Sequence, residues 1–179
     1  MKTSPINTAM SEVRFDPFED RLARDIRNEL SRSAVEVFEQ RDMTPARTKA
    51  ARYLSEPHEA VHEHYILDRL KRYEQVLATL PAGAVDEWEL ALILWDLQLF
   101  FEVHEILEQA WLKAQGPKKK VFQAMIRAAG MYIKLHDQHN ERGARKMAEK
   151  AASALSANRE VLPPDFPLEL LLDLSLIHI

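Results

Sequence analysis

The sequence predicts an all-α protein, an antiparallel bundle of about seven or eight helices around a helical-hairpin, tetratricopeptide-like core. Three observations point there. Apolar residues recur at three- and four-residue spacing, the period of a helix face. No stretch sustains the alternation with period two that a half-buried strand needs. Only 4 glycines occur among 179 residues, too few for a turn-rich all-β chain.

The first helix is expected from Asp16-Pro17-Phe18-Glu19, with Asp16 as cap and Pro17 in the first turn. Its stripe runs Leu22, Ile26, Leu30, Ala34, Val35 and Phe38 and ends near Gln40. Thr44-Pro45 repeats the start signal for a short helix through Leu54. Pro57 opens a third, with Ile66, Leu70, Tyr73, Val76, Leu77 and Leu80 on one face, and Pro81 with Gly83 stops it. Asp86 caps a fourth helix through about Trp95, and Asp96 to Gln98 is either a tight turn or a kink. A fifth helix ends before Gly116-Pro117, and a sixth runs from Pro117 to about His136. Asn140 caps a seventh that reaches about Asn158. Pro163-Pro164 and Pro167 then break the chain before a short apolar segment.

This divides the chain into an N-terminal helical extension over 1–85, a core over 86–158 and a short C-terminal helix over 159–173. The last six residues, 174–179, resemble translated sequencing adapter and are expected to be non-native. The hairpin around Asp96 is tetratricopeptide-like, but no repeat of that period is present.

Composition removes several function classes. Hydrophobic residues at 46% and charged residues at 29% fit a globular chain with a real core. Net charge is -4, from 24 basic and 28 acidic residues, so no basic field invites nucleic acid. The absence of cysteine excludes disulfides, thiolate zinc sites and cysteine nucleophiles, and fits a cytoplasmic protein. Met1 to Arg14 carries no apolar signal core, and the apolar run Leu90 to Phe101 is broken by Asp96 and Gln98. No membrane association is expected.

The chemistry concentrates in the fifth helix, at His104-Glu105-Ile106-Leu107-Glu108-Gln109-Ala110-Trp111. Residues four apart share a helix face, so His104 and Glu108 can share a proton, a metal or a hydrogen bond. Leu99, Val103, Ile106, Leu107 and Ala110 form the main apolar face. Phe101, His104, Glu108 and Trp111 form a second stripe, so the helix is expected at the bundle centre with its polar pair partly desolvated. Partners are expected from the sixth helix, Arg127 for Glu108 and Gln123 for His104, with Ala128, Ala129 and Gly130 permitting close approach.

The pattern His104-Glu105-x-x-Glu108-x-x-Trp111, then Gly116-Pro117 and Gln123-Ala124-Met125-Ile126-Arg127-Ala128-Ala129, resembles the domain of unknown function 309 family. The resemblance covers roughly Trp88 to Leu155 and includes Asn140 and Gly143-Ala144. It implies a small all-α intracellular fold with no assigned activity. The chain departs from the family pattern at Ala124, often glycine there, and at Arg127, often glutamine. A second-helix histidine of the family has no clean match, since Lys134 lies near its place and His136 is displaced. Met1 to Asp86 looks like an extension carried by a subset of the family.

Four readings follow. The cluster His104, Glu105, Glu108, Trp111, Gln123 and Arg127 is expected to be mainly a buried structural network within a structural or binding module. The alternative is a metal-dependent hydrolase using His104, Glu105 and Glu108, with zinc, manganese or iron as the metal and Glu105 or Glu108 as base. There Glu105 is expected to point away from the His104–Glu108 edge, leaving those two as the convergent metal donors. His58-Glu59-Ala60-Val61-His62 matches the HExxH zinc-protease string, but it sits in a first helical turn, with no sheet and no third ligand. Lys118-Lys119-Lys120 is read as a solvated edge before an anion contact. The amphipathic N-terminal helices could pack on the core, on a second copy or on another protein. No serine or threonine sits in a glycine-flanked elbow, and no phosphate loop exists.

Overall fold

The computed structural model describes residues 14–136 and 140–169. Seven helices follow one another: α1 (Arg21–Gln40), α2 (Thr44–Leu54), α3 (Ala60–Thr79), α4 (Glu87–Asp96), α5 (Phe100–Lys113), α6 (Gly116–His136) and α7 (Glu141–Ala157). A 3-10 turn, Arg159–Val161, follows α7, and no strand occurs among the described residues. The expected adapter-like tail lies outside the described residues, as do residues 170–173 of the short C-terminal helix expected over 159–173.

Two helix starts differ from expectation. Asp16 tops a separate turn, accepting from the Phe18 and Glu19 N–H groups at 3.0 and 3.3 Å. The cap of α1 is Asp20, which accepts from Leu22 N–H at 2.8 Å. Asp20 is also held by His62 Nε2 at 2.6 Å, which ties the cap of α1 to α3, whereas Asp16 is held by its near neighbour Arg14 at 3.0 Å. The third helix starts at Ala60 rather than at Pro57, with Glu59 and His62 forming a reciprocal box across its first turn. Asp86 and Asn140 cap α4 and α7 as their residue types suggest. At Gly143 a Cβ would lie 2.9 Å from Asn140 Oδ1, so glycine lets that cap close.

Leu97 and Gln98 form a turn between α4 and α5, with Gln98 at φ 54. That left-handed residue follows α4 where glycine usually stands. It reverses the chain so that Leu99, fully buried, leads into α5.

α5 sits between α1, α4 and α6, and α6 is covered in turn by α7. Its predicted apolar face is buried throughout, from Leu99 through Val103, Ile106 and Leu107 to Ala110. The main core joins this face to Val37 and Phe38 of α1, Tyr73 and Val76 of α3, and Phe122 and Met125 of α6. The extension and the motif helix therefore share one continuous apolar interior. At Gly130 a Cβ would meet the Met147 side chain at 2.6 Å, so α7 seats closely there.

Candidate functional site

The motif helix presents its polar residues along one edge. Each residue turns the helix by about 100°, so Glu108 lies about 40° round from His104 and Glu105 about 100°. Glu108 therefore stands between the other two, and its neighbours at three and four residues both reach it. One donor atom from each of His104, Glu105 and Glu108 lies within 4.8 Å of the other two. This corrects the expectation that Glu105 stands apart. Its long side chain spans the angular gap, and Glu108 closes it.

The cluster is half-buried rather than enclosed. His104 Nδ1 lies 3.9 Å from Glu108 Oε2, and their side chains remain 38% and 45% exposed. The expected network with α6 does not form. Gln123 and Arg127 are half-buried and make no hydrogen bond or ion pair among the described residues. Burial pushes the Glu105 carboxyl above the ordinary range, against the pull of His104 and Arg32, with Glu108 and Glu102 adding to the rise. The second stripe thus faces a partly wet edge, because α6 packs against the neighbouring arc of α5.

Trp111 is paired with a lysine from the start of α6. Lys119 Nζ lies 4.5 Å from its ring centroid, and Lys118 Nζ lies 5.4 Å from that of Phe122. Two of the three lysines at the start of α6 thus rest on aromatic faces, a use that offsets their unfavourable place at a helix N-terminus.

The HExxH string is spent on structure. His58 lies outside the helix, so His58 and His62 do not share a helical face. His62 is 4% exposed, accepts from the Glu59 N–H through Nδ1 at 3.2 Å, and meets Asp20 through Nε2 at 2.6 Å. With Nδ1 accepting, the ring proton sits on Nε2 and is donated to Asp20. Both ring nitrogens are committed, and neither remains for a metal.

The fully buried polar group of α5 is Glu102, which sequence reasoning passed over. Tyr73 donates its phenol to Glu102 Oε1 at 2.7 Å, and Arg69 Nη1 donates to Oε2 at 3.3 Å. The Arg69 side chain is 12% exposed and that of Glu102 is 0% exposed. Burial, and then Glu102, push the Tyr73 phenol well above its ordinary value, so it remains a donor. A signal existed. Glu102 stands between Leu99 and Ile106 on the buried side of α5, and Arg69 and Tyr73 are one turn apart on α3.

Fold and site together define an all-helical protein with an imidazole and two carboxylates gathered on one central helix. Residues 88–147, from α4 into α7, match the family described as Domain of unknown function (DUF309). That segment contains the whole His104, Glu105 and Glu108 cluster, and it bears out the resemblance carried by the motif. No curated protein and no solved structure gives a significant match to the chain. No helix among the described residues is long and apolar enough to cross a membrane.

Proposed function

We propose that this chain is a helical module that binds a divalent metal ion at His104, Glu105 and Glu108. The convergence of the three donors within 4.8 Å carries the proposal. One imidazole nitrogen and two carboxylates suit zinc, manganese or iron. Three ligands from one helix face leave further positions to water or to a partner's group. A cation there also offsets the repulsion between the two carboxylates, one of which burial already makes reluctant to ionise.

The test is elemental analysis of untagged protein, followed by titration of metal-stripped protein with zinc and with manganese. One metal per chain is expected. His104→Ala, Glu105→Gln and Glu108→Gln should each weaken it by at least about tenfold. No stoichiometric binding of either metal to wild type would overturn the proposal. Wild-type affinity in Glu105→Gln would overturn the three-donor site.

The exposure of the cluster favours one extension, a metal-dependent hydrolase, because bulk water can reach the site. A bound metal would lower the pKa of a coordinated water, and a carboxylate freed from the metal would serve as base. Hydrolysis of simple ester or phosphoester substrates by loaded protein, absent in Glu105→Gln and Glu108→Gln, tests it. The cysteine-free composition supports a cytoplasmic setting.

A further inference from the structure

A cleft of about 200 Å³ opens where α3, the α4–α5 turn and α6 meet. It does not include the His104 cluster. Its lining carries two cations, Arg69 and Arg72, and no carboxylate. Both guanidinium groups are fixed in place. Arg72 Nη1 donates to the Leu97 carbonyl at 2.9 Å, and its Nε meets Asp68 at 2.8 Å. Arg69 is tied to Glu102 through Nη1, while its Nε is buried and makes no hydrogen bond to the protein.

The rest of the lining is Gln98, the aromatic residues Phe100, Phe101 and Tyr132, and Ile133. Phe100 and Tyr132 stack with centroids 4.7 Å apart and planes within 10° of parallel. Trp95 braces both, edge-on, at 5.4 and 5.3 Å. Gln98 lines the cleft from its left-handed turn position, where the backbone strain of a non-glycine residue is retained.

Held guanidinium forks match carboxylate and phosphate groups, and aromatic walls match a flat apolar body. We propose that this cleft binds a small organic anion, its charged head on Arg72 and Arg69 and its flat apolar body along Phe100 and Tyr132. Arg72 is the better placed to meet the head, since its side chain is 32% exposed. Arg69 lies deeper and holds the charge of the cleft floor against the buried Glu102.

The full chain is titrated with benzoate and with phenyl phosphate, with benzyl alcohol as the neutral control. The readout is the three indole N–H signals in a nitrogen-15 correlation spectrum, one each for Trp88, Trp95 and Trp111. A saturable shift of the Trp95 signal is expected with at least one anion, at millimolar concentration or below. Benzoate alone would mark a carboxylate ligand, and phenyl phosphate alone a phosphate ligand. Gln98→Glu puts a carboxylate into the cleft at nearly constant shape and should weaken binding by at least about tenfold. Arg72→Gln should do the same, and Gln98→Glu decides the matter if Arg72→Gln unfolds. Equal binding of benzyl alcohol, unchanged affinity in Gln98→Glu, or no saturation by about 10 mM of either anion would overturn the proposal.

Discussion

Glu105 is held where its charge is unwelcome, and this gives the proposed metal site a signature without metal. Burial raises its folded pKa above the ordinary value. An acid raised in this way favours the folded state most below the unfolded pKa, and that contribution is lost as pH rises through the folded pKa. At neutral pH the ionised side chain is therefore a small liability to the metal-free fold. Glu105→Gln should raise the stability of stripped protein at pH 7 by less than about 1 kcal/mol, and the gain should vanish at acid pH. With zinc or manganese present the ranking should reverse, because wild type binds the metal more tightly and gains more binding energy. Urea denaturation of both proteins, stripped and loaded, checks this, and a stripped variant less stable than wild type at pH 7 would contradict it. The residues of this cluster were legible in the motif, but its depth was not. A helical wheel gives angles within one helix, and only the packing of α6 decides which arc stays wet. The same limit hid Glu102, whose partners come from α3, 29 and 33 residues earlier in the chain.

At the scale of elements, prolines, caps and apolar stripes located most helix ends, since they report local backbone chemistry. Asp86 and Asn140 cap where their types suggest, whereas the starts of α1 and α3 moved because Asp20 and His62 join each other across 42 residues. Burial pushes the Asp20 carboxyl up, but hydrogen bonds from His62, Leu22 and Ala23 outweigh it and hold the pKa below the ordinary value. A depressed acid contributes stability above its unfolded pKa and loses it as pH falls through the folded pKa. The α1–α3 junction should therefore loosen in acid. Asp20→Asn keeps a capping oxygen but loses the charge, so it should be less stable than wild type at pH 7 and converge with it at low pH. Thermal unfolding across that pH range reads the difference, and parallel profiles would rule out this role. The α4–α5 turn makes a separate prediction. Gln98 at φ 54 is a non-glycine residue in left-handed backbone, and its relief by Gln98→Gly should stabilise the fold by roughly 1 kcal/mol. Urea denaturation measures it, and a loss of stability would show that the Gln98 side chain contributes more than its backbone strain costs.

Across the whole molecule, one buried charge joins the matched segment to the extension before it. Glu102 belongs to the segment 88–147, while Arg69 and Tyr73 precede that segment. A carboxylate at 0% exposure is tolerable only with partners, and the observed ones both come from α3. The apolar core spans the same boundary, so the extension and the motif helix should unfold as one unit. Removing either charge strands the other. Glu102→Gln and Arg69→Met should each destabilise by about 3–5 kcal/mol, and Tyr73→Phe by about 1.5–3 kcal/mol. Replacing both ends together, as Arg69→Met with Glu102→Leu, should recover most of the loss, because a well-packed apolar pair needs no desolvated charge. A double-mutant cycle by urea denaturation measures the coupling. Single costs below about 1 kcal/mol would mean that water reaches the pair, and a non-additive cycle with large single costs would establish it as the joint between the two halves.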